Sequence, residues 1–202
     1  MKVLRIPVGP LATNCYILID EETKETAVID PGGEAEKLIA TLERNEAKVK
    51  YILLTHGHFD HTGAVIDLKN KYKAPVHVTK EDHDMIHSGA SELFNMEGYD
   101  GSINNFIYEA TVFELGSTKI KCITTPGHTP GGVCFYFDNI LISGDTLFNG
   151  SVGRTDFVGA NHRILINSIK TKLMDLPEDT VVLPGHGEET TIGREKQFNP
   201  FL

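Results

Sequence analysis

The sequence predicts a mixed α/β fold in which two β-sheets pack face to face and helices cover their outer sides. Three observations predict it. Short apolar segments of strand length gather in two runs, one in each half of the chain. Segments with helical spacing are interspersed among them. No linker, low-complexity tract or close repeat divides the chain, so its 202 residues read as one domain spanning 1–202.

Val3–Val8, Cys15–Asp20 and Thr26–Asp30 read as strands, separated by turn residues at Gly9-Pro10 and Asp20–Lys24. Gly33–Asn45 carries Ala35, Leu38, Ile39 and Leu42 at helical spacing. Val49–Leu54 is a further apolar strand. Thr62–Tyr72 predicts a helix and Pro75–Val78 a short strand. Thr79–His87 begins with Thr79 and places acids in its first turn, as a capped helix would. In the second half Ile107–Leu115, Lys119–Thr124, Val133–Phe137 and Ile140–Ser143 read as strands. Asn161–Leu173 reads as a helix capped by Asn161, and Thr180–Leu183 as the last strand. Residues 88–105 are rich in Gly, Ser and Asn yet carry Phe94, Met96 and Tyr99; they read as either a mobile flap or an irregular surface excursion.

Hydrophobic residues make up 40% of the chain and charged residues 23%, an ordinary globular balance. A formal net charge of −9 argues against a nucleic-acid partner. It leaves room for an anionic small-molecule substrate, because bound cations reverse the local field. The first twenty residues lack the apolar run and cleavage site of a signal peptide, and no stretch approaches the ~20 apolar residues of a membrane span. Cys15, Cys122 and Cys134 have no short spacing and read as buried small hydrophobes in a reducing cytoplasm. No oligomeric state follows from the sequence.

The densest chemistry is Thr55-His56-Gly57-His58-Phe59-Asp60-His61, directly after the apolar Tyr51–Leu54. A loop leaving a strand turns such side chains toward one point. Imidazoles and a carboxylate suit zinc, iron or manganese. A lone histidine is usually structural, but burying three with an aspartate leaves many polar groups to satisfy without a metal. Three further strand ends each add one ligand-type residue in a Gly-rich turn: Thr125-Pro126-Gly127-His128, Ser143-Gly144-Asp145-Thr146 and Pro184-Gly185-His186-Gly187. Each is weak alone. Together with the first cluster they are enough for two metal ions with open positions for water and substrate. His83 and His87, four apart on the Thr79–His87 segment, sit among Glu81, Asp82 and Asp84 and read as a solvated helix face. Phe148 and Phe157 read as core residues or pocket walls.

The motifs THGHFDH, TPGHTPGG, SGDTLF and PGHG, with Val28-Ile29-Asp30-Pro31-Gly32-Gly33 before them, resemble the metallo-β-lactamase superfamily, and within it the glyoxalase II-type thioester hydrolases. The resemblance implies an αββα four-layer sandwich with two divalent ions at one edge, zinc first and iron or manganese as alternatives. It implies that His56, His58 and His128 hold one ion, that Asp60, His61 and His186 hold the other, and that Asp145 bridges both. Asp30 is expected either to orient a ligand histidine or to serve turn chemistry before Pro31. A water shared by two cations loses its proton readily, since one zinc already lowers a bound water to ~7. That metal-bound hydroxide is the expected nucleophile on a carbonyl, with Asp60 and Asp145 as catalytic carboxylates and no GxSxG serine in play.

Substrate is read from Asn149–Phe157. In glyoxalase II-type enzymes the matching loop carries a Lys and a Tyr against glutathione; here Arg154 replaces the Lys and Asp156 stands where the Tyr would be. Arg154 is expected either to fork onto a substrate carboxylate or to pair with Asp156. His162 is a further candidate contact. A glutathione-recognising helical extension does not fit between His186 and Leu202, so the resemblance is to the compact glyoxalase II-like branch. The GRTDF stretch also resembles the persulfide dioxygenases of the superfamily, which use one iron on the equivalents of His56, His128 and Asp145. A lactonase and a non-catalytic metal-binding regulatory module complete the alternatives.

Overall fold

The computed structural model of the chain describes residues 1–89, 91–103 and 105–202. The first half runs β1 (Lys2–Val8), β2 (Thr13–Ile19), β3 (Glu25–Ile29), α1 (Ala35–Arg44), β4 (Lys48–Leu53), α2 (Phe59–Thr62), α3 (Val65–Tyr72), β5 (Val76–Thr79), α4 (Lys80–Ser88) and β6 (Asn105–Ile107). The second runs β7 (Val112–Leu115), β8 (Thr118–Thr124), β9 (Val133–Phe137), β10 (Ile140–Gly144), β11 (Leu147–Phe148), β12 (Ser151–Val152), α5 (His162–Ser168), β13 (Val181–Pro184), β14 (Thr190–Thr191) and α6 (Ile192–Phe198). Helix α5 continues into a wider π-type turn over Ile169–Leu173. Among the described residues, strands β1 to β6 form one six-stranded sheet in chain order. The other six-stranded sheet has the order β14-β13-β10-β9-β8-β7.

The period of two along each strand builds the layers. In β2, Tyr16 and Leu18 point to the core between the sheets, with Ala27, Ile29, Leu53, Phe135 and Ile142. Cys15, Ile17 and Ile19 point the other way, onto Leu38 and Leu42 of α1 and Val65 and Leu68 of α3. On the second sheet Cys134, Leu141 and Val182 face Leu165, Ile169 and Leu173. With both faces covered, β2 is buried along its whole length, and its Cys15–Ile19 part reads as a continuous apolar run. The result is the αββα four-layer sandwich. The three cysteines are buried and unpaired, and burial pushes Cys134 up to about 11 and Cys122 to about 12. Among the described residues no helix is long and apolar enough to cross a membrane.

Three expectations are corrected. Ile107–Leu115 is not one strand: β6 closes the edge of the first sheet, β7 opens the edge of the second, and a turn at Tyr108–Thr111 with Ala110 at φ 62 crosses between them. The helix expected from Thr62 begins earlier, with the single turn α2, and restarts at Val65, after Ala64, whose N–H donates to the Pro31 carbonyl at 2.8 Å. Thr79 stands at the N-cap of α4, but its hydroxyl donates to the Gly131 carbonyl at 2.7 Å instead of capping. The described part of 88–105 is held down, with Phe94, Met96 and Ile103 in the core and the Leu93 carbonyl accepting from Phe59 N at 2.7 Å. Asn161 does cap α5, accepting from Ile164 N at 3.1 Å.

His77, on β5, lies edge-on to Phe113 and Tyr51, and burial alone pulls its pKa down to about 4 from 6.5. The unfolded chain therefore takes up a proton between pH 6.5 and 4 that the folded chain refuses, so stability present above pH 6.5 is lost as pH falls. Discounted for its partial exposure, the effect is about 1–2 kcal/mol. The metal-free His77→Phe variant is expected to lose that much less stability than the parent between pH 7 and pH 4 in urea titrations. Parallel losses would contradict this origin.

Candidate metal centre

The ligand-type residues arrive from four strand ends at one edge of the sandwich. His56 and His58 leave β4, with Asp60 and His61 on the helical turn α2. His128 lies between β8 and β9, Asp145 follows β10, and His186 follows β13. The turns can converge because glycines let backbone and side chain approach. A methyl on Gly153 would lie 1.8 Å from the Asp145 carbonyl, and one on Gly185 would lie 2.3 Å from Asp145 Oδ1 and 2.8 Å from the His61 ring. Gly185→Ala is thus expected to displace the Asp145 carboxylate and to lower metal-dependent turnover about 100-fold. Turnover and metal content at the wild-type level would contradict it.

Three donor groups come together: His56 with His58 and His128, Asp60 with His61 and His186, and Asp30 with His56 and His61. His128 Nε2 lies 3.0 Å from His58 Nδ1. Asp60 Oδ2 lies 3.2 Å from His186 Nε2 and 3.5 Å from His61 Nε2. Asp145 faces both clusters, with Oδ1 3.4 Å from His61 Nε2 and Oδ2 3.6 Å from both His128 Nε2 and His186 Nε2. Bonds of ~2.0–2.1 Å to a tetrahedral ion put ligand atoms about 3.3 Å apart. The observed spacings scatter around that value.

Hydrogen bonds fix which nitrogens are bare. His61 Nδ1 donates to Asp30 Oδ2 at 2.9 Å. Thr55 Oγ1 donates to the same oxygen at 2.6 Å and so accepts from His56 Nδ1 at 3.0 Å. His128 Nδ1 donates to the Arg154 carbonyl at 2.7 Å. The Nε2 atoms of His56 and His61 and Oδ1 of Asp145 are buried with no hydrogen-bond partner. Buried polar atoms left bare and aimed at one another are costly unless a cation sits between them.

Asp30 needs its own conformation for this. It is buried at a left-handed φ of 51, which turns its carboxylate back onto β4, where Oδ1 accepts Thr55 N at 2.7 Å. With both oxygens engaged by protein donors, Asp30 stands behind the histidines and not among the bare donors.

The electrostatics divide the centre. Burial and neighbouring imidazoles push His56 well below its ordinary value and His58 to about 3, and burial lowers His128. These are neutral imidazoles, as metal binding requires. In the acidic half, burial opposes charge on His61 and His186, yet carboxylates outweigh it: Asp30 and Asp145 raise His61, and Asp60 and Asp145 raise His186. Burial would raise Asp60, but the His186 hydrogen bond and the His61 charge hold it far below the usual range. A field that favours a proton on two imidazoles also favours a divalent cation in their place. The residues fit a divalent metal site.

A cleft of about 380 Å³ opens over the centre, walled by Leu11, Phe59, Leu93, Phe148 and Phe157. Phe148 and Phe157 are therefore pocket walls. Arg154 reaches the cleft, but its guanidinium is forked onto Asp156 at 2.7 and 3.1 Å and lies over the Phe157 ring. His162 is not brought to the cleft; it is exposed beside Phe201, because the Asn161 cap starts α5 there. Two expectations about α4 are corrected. Asp82 points inward and is fully buried, and His83 is half-buried against Phe106 and Tyr99. Sequence reasoning missed Thr13, whose hydroxyl donates to Asp60 Oδ2 at 2.9 Å. It also missed Asn14 and Tyr16, which hold the Pro184 carbonyl before His186 at 2.9 and 2.7 Å. The first link joins residues 47 apart and the other two join residues 170 and 168 apart, and local motifs carry no trace of them.

The likeness to known proteins covers the stretch of chain that carries these residues. Hydroxyacylglutathione hydrolase GloC of Haemophilus influenzae is 38% identical, with the match covering all of this chain and 98% of that protein. The crystal structure of BLEG-1 B3 metallo-beta-lactamase matches at TM-score 0.87 and 37% identity, over 100% of this chain and 99% of that one. TTHA1623 in a di-iron-bound form matches at TM-score 0.86 and 36% identity, over 99% and 100%. ETHE1 from Myxococcus xanthus follows at TM-score 0.82 and 25% identity, over 99% and 84%. The model of the metallo-beta-lactamase superfamily matches residues 8–186, from the end of β1 to the last of the convergent histidines, and this chain belongs to that superfamily.

Proposed function

We propose that the chain hydrolyses a thioester of the hydroxyacylglutathione type, with two divalent ions as cofactors. One observation carries the reading: the Asp145 carboxylate faces both donor clusters at once, at 3.4 Å on one oxygen and 3.6 Å on the other. In this reading His56, His58 and His128 hold one ion, Asp60, His61 and His186 hold the second, and Asp145 serves both. The full-length likeness to GloC supports the substrate class. Zinc is the first expectation for the metal, and the di-iron form of TTHA1623 supports iron. Divalent ions at such a site acidify a water and polarise a carbonyl.

The chain's own groups do the rest. Asp60, held by Thr13, is placed to take the proton released as water adds to the thioester carbon. Asp30 keeps His56 and His61 in the tautomer that leaves Nε2 free. The apolar walls seat the acyl group and exclude bulk water. Arg154 exchanges Asp156 for a glutathione carboxylate; the exchange is cheap because the pair is solvent-exposed. Arg154→Ala is accordingly expected to raise KM about tenfold with kcat nearly unchanged. A fall in kcat at constant KM would place Arg154 elsewhere in the reaction.

The second reading is a persulfide dioxygenase, favoured by the GRTDF stretch and the likeness to ETHE1. Lactonase activity and a regulatory role remain as controls on the same assay panel. The test is cleavage of a hydroxyacylglutathione without oxygen, beside oxygen uptake with glutathione persulfide. Anaerobic cleavage is the expected result. Oxygen-dependent persulfide consumption with no thioester cleavage would overturn the proposal.

A further inference from the structure

The sharpest unassigned feature is a carboxylate that touches none of the bare donors. Asp82, on the first turn of α4, is fully buried. Its Oδ2 accepts Gly57 N at 2.8 Å, in the turn between His56 and His58. Its Oδ1 accepts Gly131 N at 2.7 Å, three residues after His128. Thr79, just before α4, holds the other end of the same peptide region by donating to the Gly131 carbonyl. Gly131 has no room for a side chain, since a methyl there would lie 2.0 Å from Thr79 Oγ1 and 2.8 Å from Asp82 Oδ1. On the other loop, a methyl on Gly57 would press on Ile86 and Phe94 at 3.0 and 3.1 Å.

These contacts join loops from the two sheets, beside the backbone bond from Val133 N to the Thr55 carbonyl at 2.9 Å. His56 and His58 follow the first sheet, whereas His128 belongs to the second. A buried carboxylate without a cationic partner is expensive. Two charge-assisted bonds to backbone N–H groups recover part of that cost only while both loops stay in place.

We propose that Asp82, aided by Thr79, is a positioning residue that clamps the His56–His58 turn to the His128 turn and so fixes the three-histidine donor set. The clamp rests on reading those histidines as ligands of one ion. Replacing Asp82 by Asn keeps the volume but sets an amide N–H against one of the two backbone donors. Replacing Thr79 by Val removes the hydroxyl alone, and Thr79→Ser restores it.

The test is cobalt(II) titration of the metal-free full chain, followed by its visible d–d absorption, with thermal unfolding of the metal-free proteins in parallel. The clamp predicts that Asp82→Asn weakens the first cobalt equivalent about 10–100-fold and alters its absorption envelope. Thr79→Val shifts both in the same direction by less, and Thr79→Ser returns them to the parental values. Either folded variant binding cobalt with parental affinity and spectrum, even at a lower Tm, would reduce the clamp to ordinary packing and overturn the proposal. A wild-type chain that binds no cobalt would instead remove the ligand reading on which it rests.

Discussion

Asp145→Ala is expected to reduce turnover about a thousandfold or more and to leave at most one metal ion per chain. The carboxylate is the group within 3.4–3.6 Å of histidines from both clusters. Two divalent ions ~4 Å apart repel by roughly 16 kcal/mol at an effective dielectric of 20, so the anion between them decides whether both remain. Loss of several kcal/mol of charge stabilisation in the transition state corresponds to three orders of magnitude in rate. Metal content by mass spectrometry and turnover under saturating substrate check this together. Two ions per chain with retained activity would contradict it. The fold itself is expected to survive, because Asp145 lies at the edge of the sandwich and takes no part in the three apolar clusters.

Asp30→Ala carries the second largest effect, and it falls on stability as well as on metal binding. The carboxylate accepts three buried donors: Thr55 N, Thr55 Oγ1 and His61 Nδ1. Removing it leaves them without acceptors, at a cost of about 3–5 kcal/mol. For a chain of this size that is a fall of roughly 6–20 °C in the metal-free Tm. His56 and His61 lose the contacts that fix their tautomers, so metal affinity is expected to fall about 10–100-fold. Asp30→Asn keeps two acceptor lone pairs on one oxygen and should recover part of the Tm but less of the affinity, because its amide group confronts a donor. Calorimetry and zinc titration of the two variants distinguish these effects. An Ala variant with unchanged Tm would show that Asp30 is not the acceptor described.

The candidate metal site is legible in the sequence because its donor-type residues come as short motifs at strand ends, where local spacing and convergence coincide. His56 through His61 follow β4 without a gap, and His128, Asp145 and His186 each follow a strand with glycine beside them. The layers are legible because the unbroken apolar run Cys15–Ile19 and the helical spacing of Leu38 and Leu42 report burial directly. What stayed hidden is nonlocal. Asp82 looks like any first-turn acid until the Gly57 and Gly131 turns close over it. Thr79 looks like a cap, but the Gly131 carbonyl competes for its hydroxyl and wins. The break between β6 and β7 falls at Tyr108–Thr111, with neither Gly nor Pro to mark it, and Ala110 supplies the left-handed residue. His162 lies near Arg154 in sequence, but the Asn161 cap carries it outward.

The most direct measurement of the whole account is the rate of hydroxyacylglutathione cleavage, in the absence of oxygen, as metal is returned stepwise to the stripped protein. A rate near zero for the stripped chain, climbing until two ions per chain are bound, is the predicted result. Full cleavage by metal-free protein, or none under any loading, would contradict it.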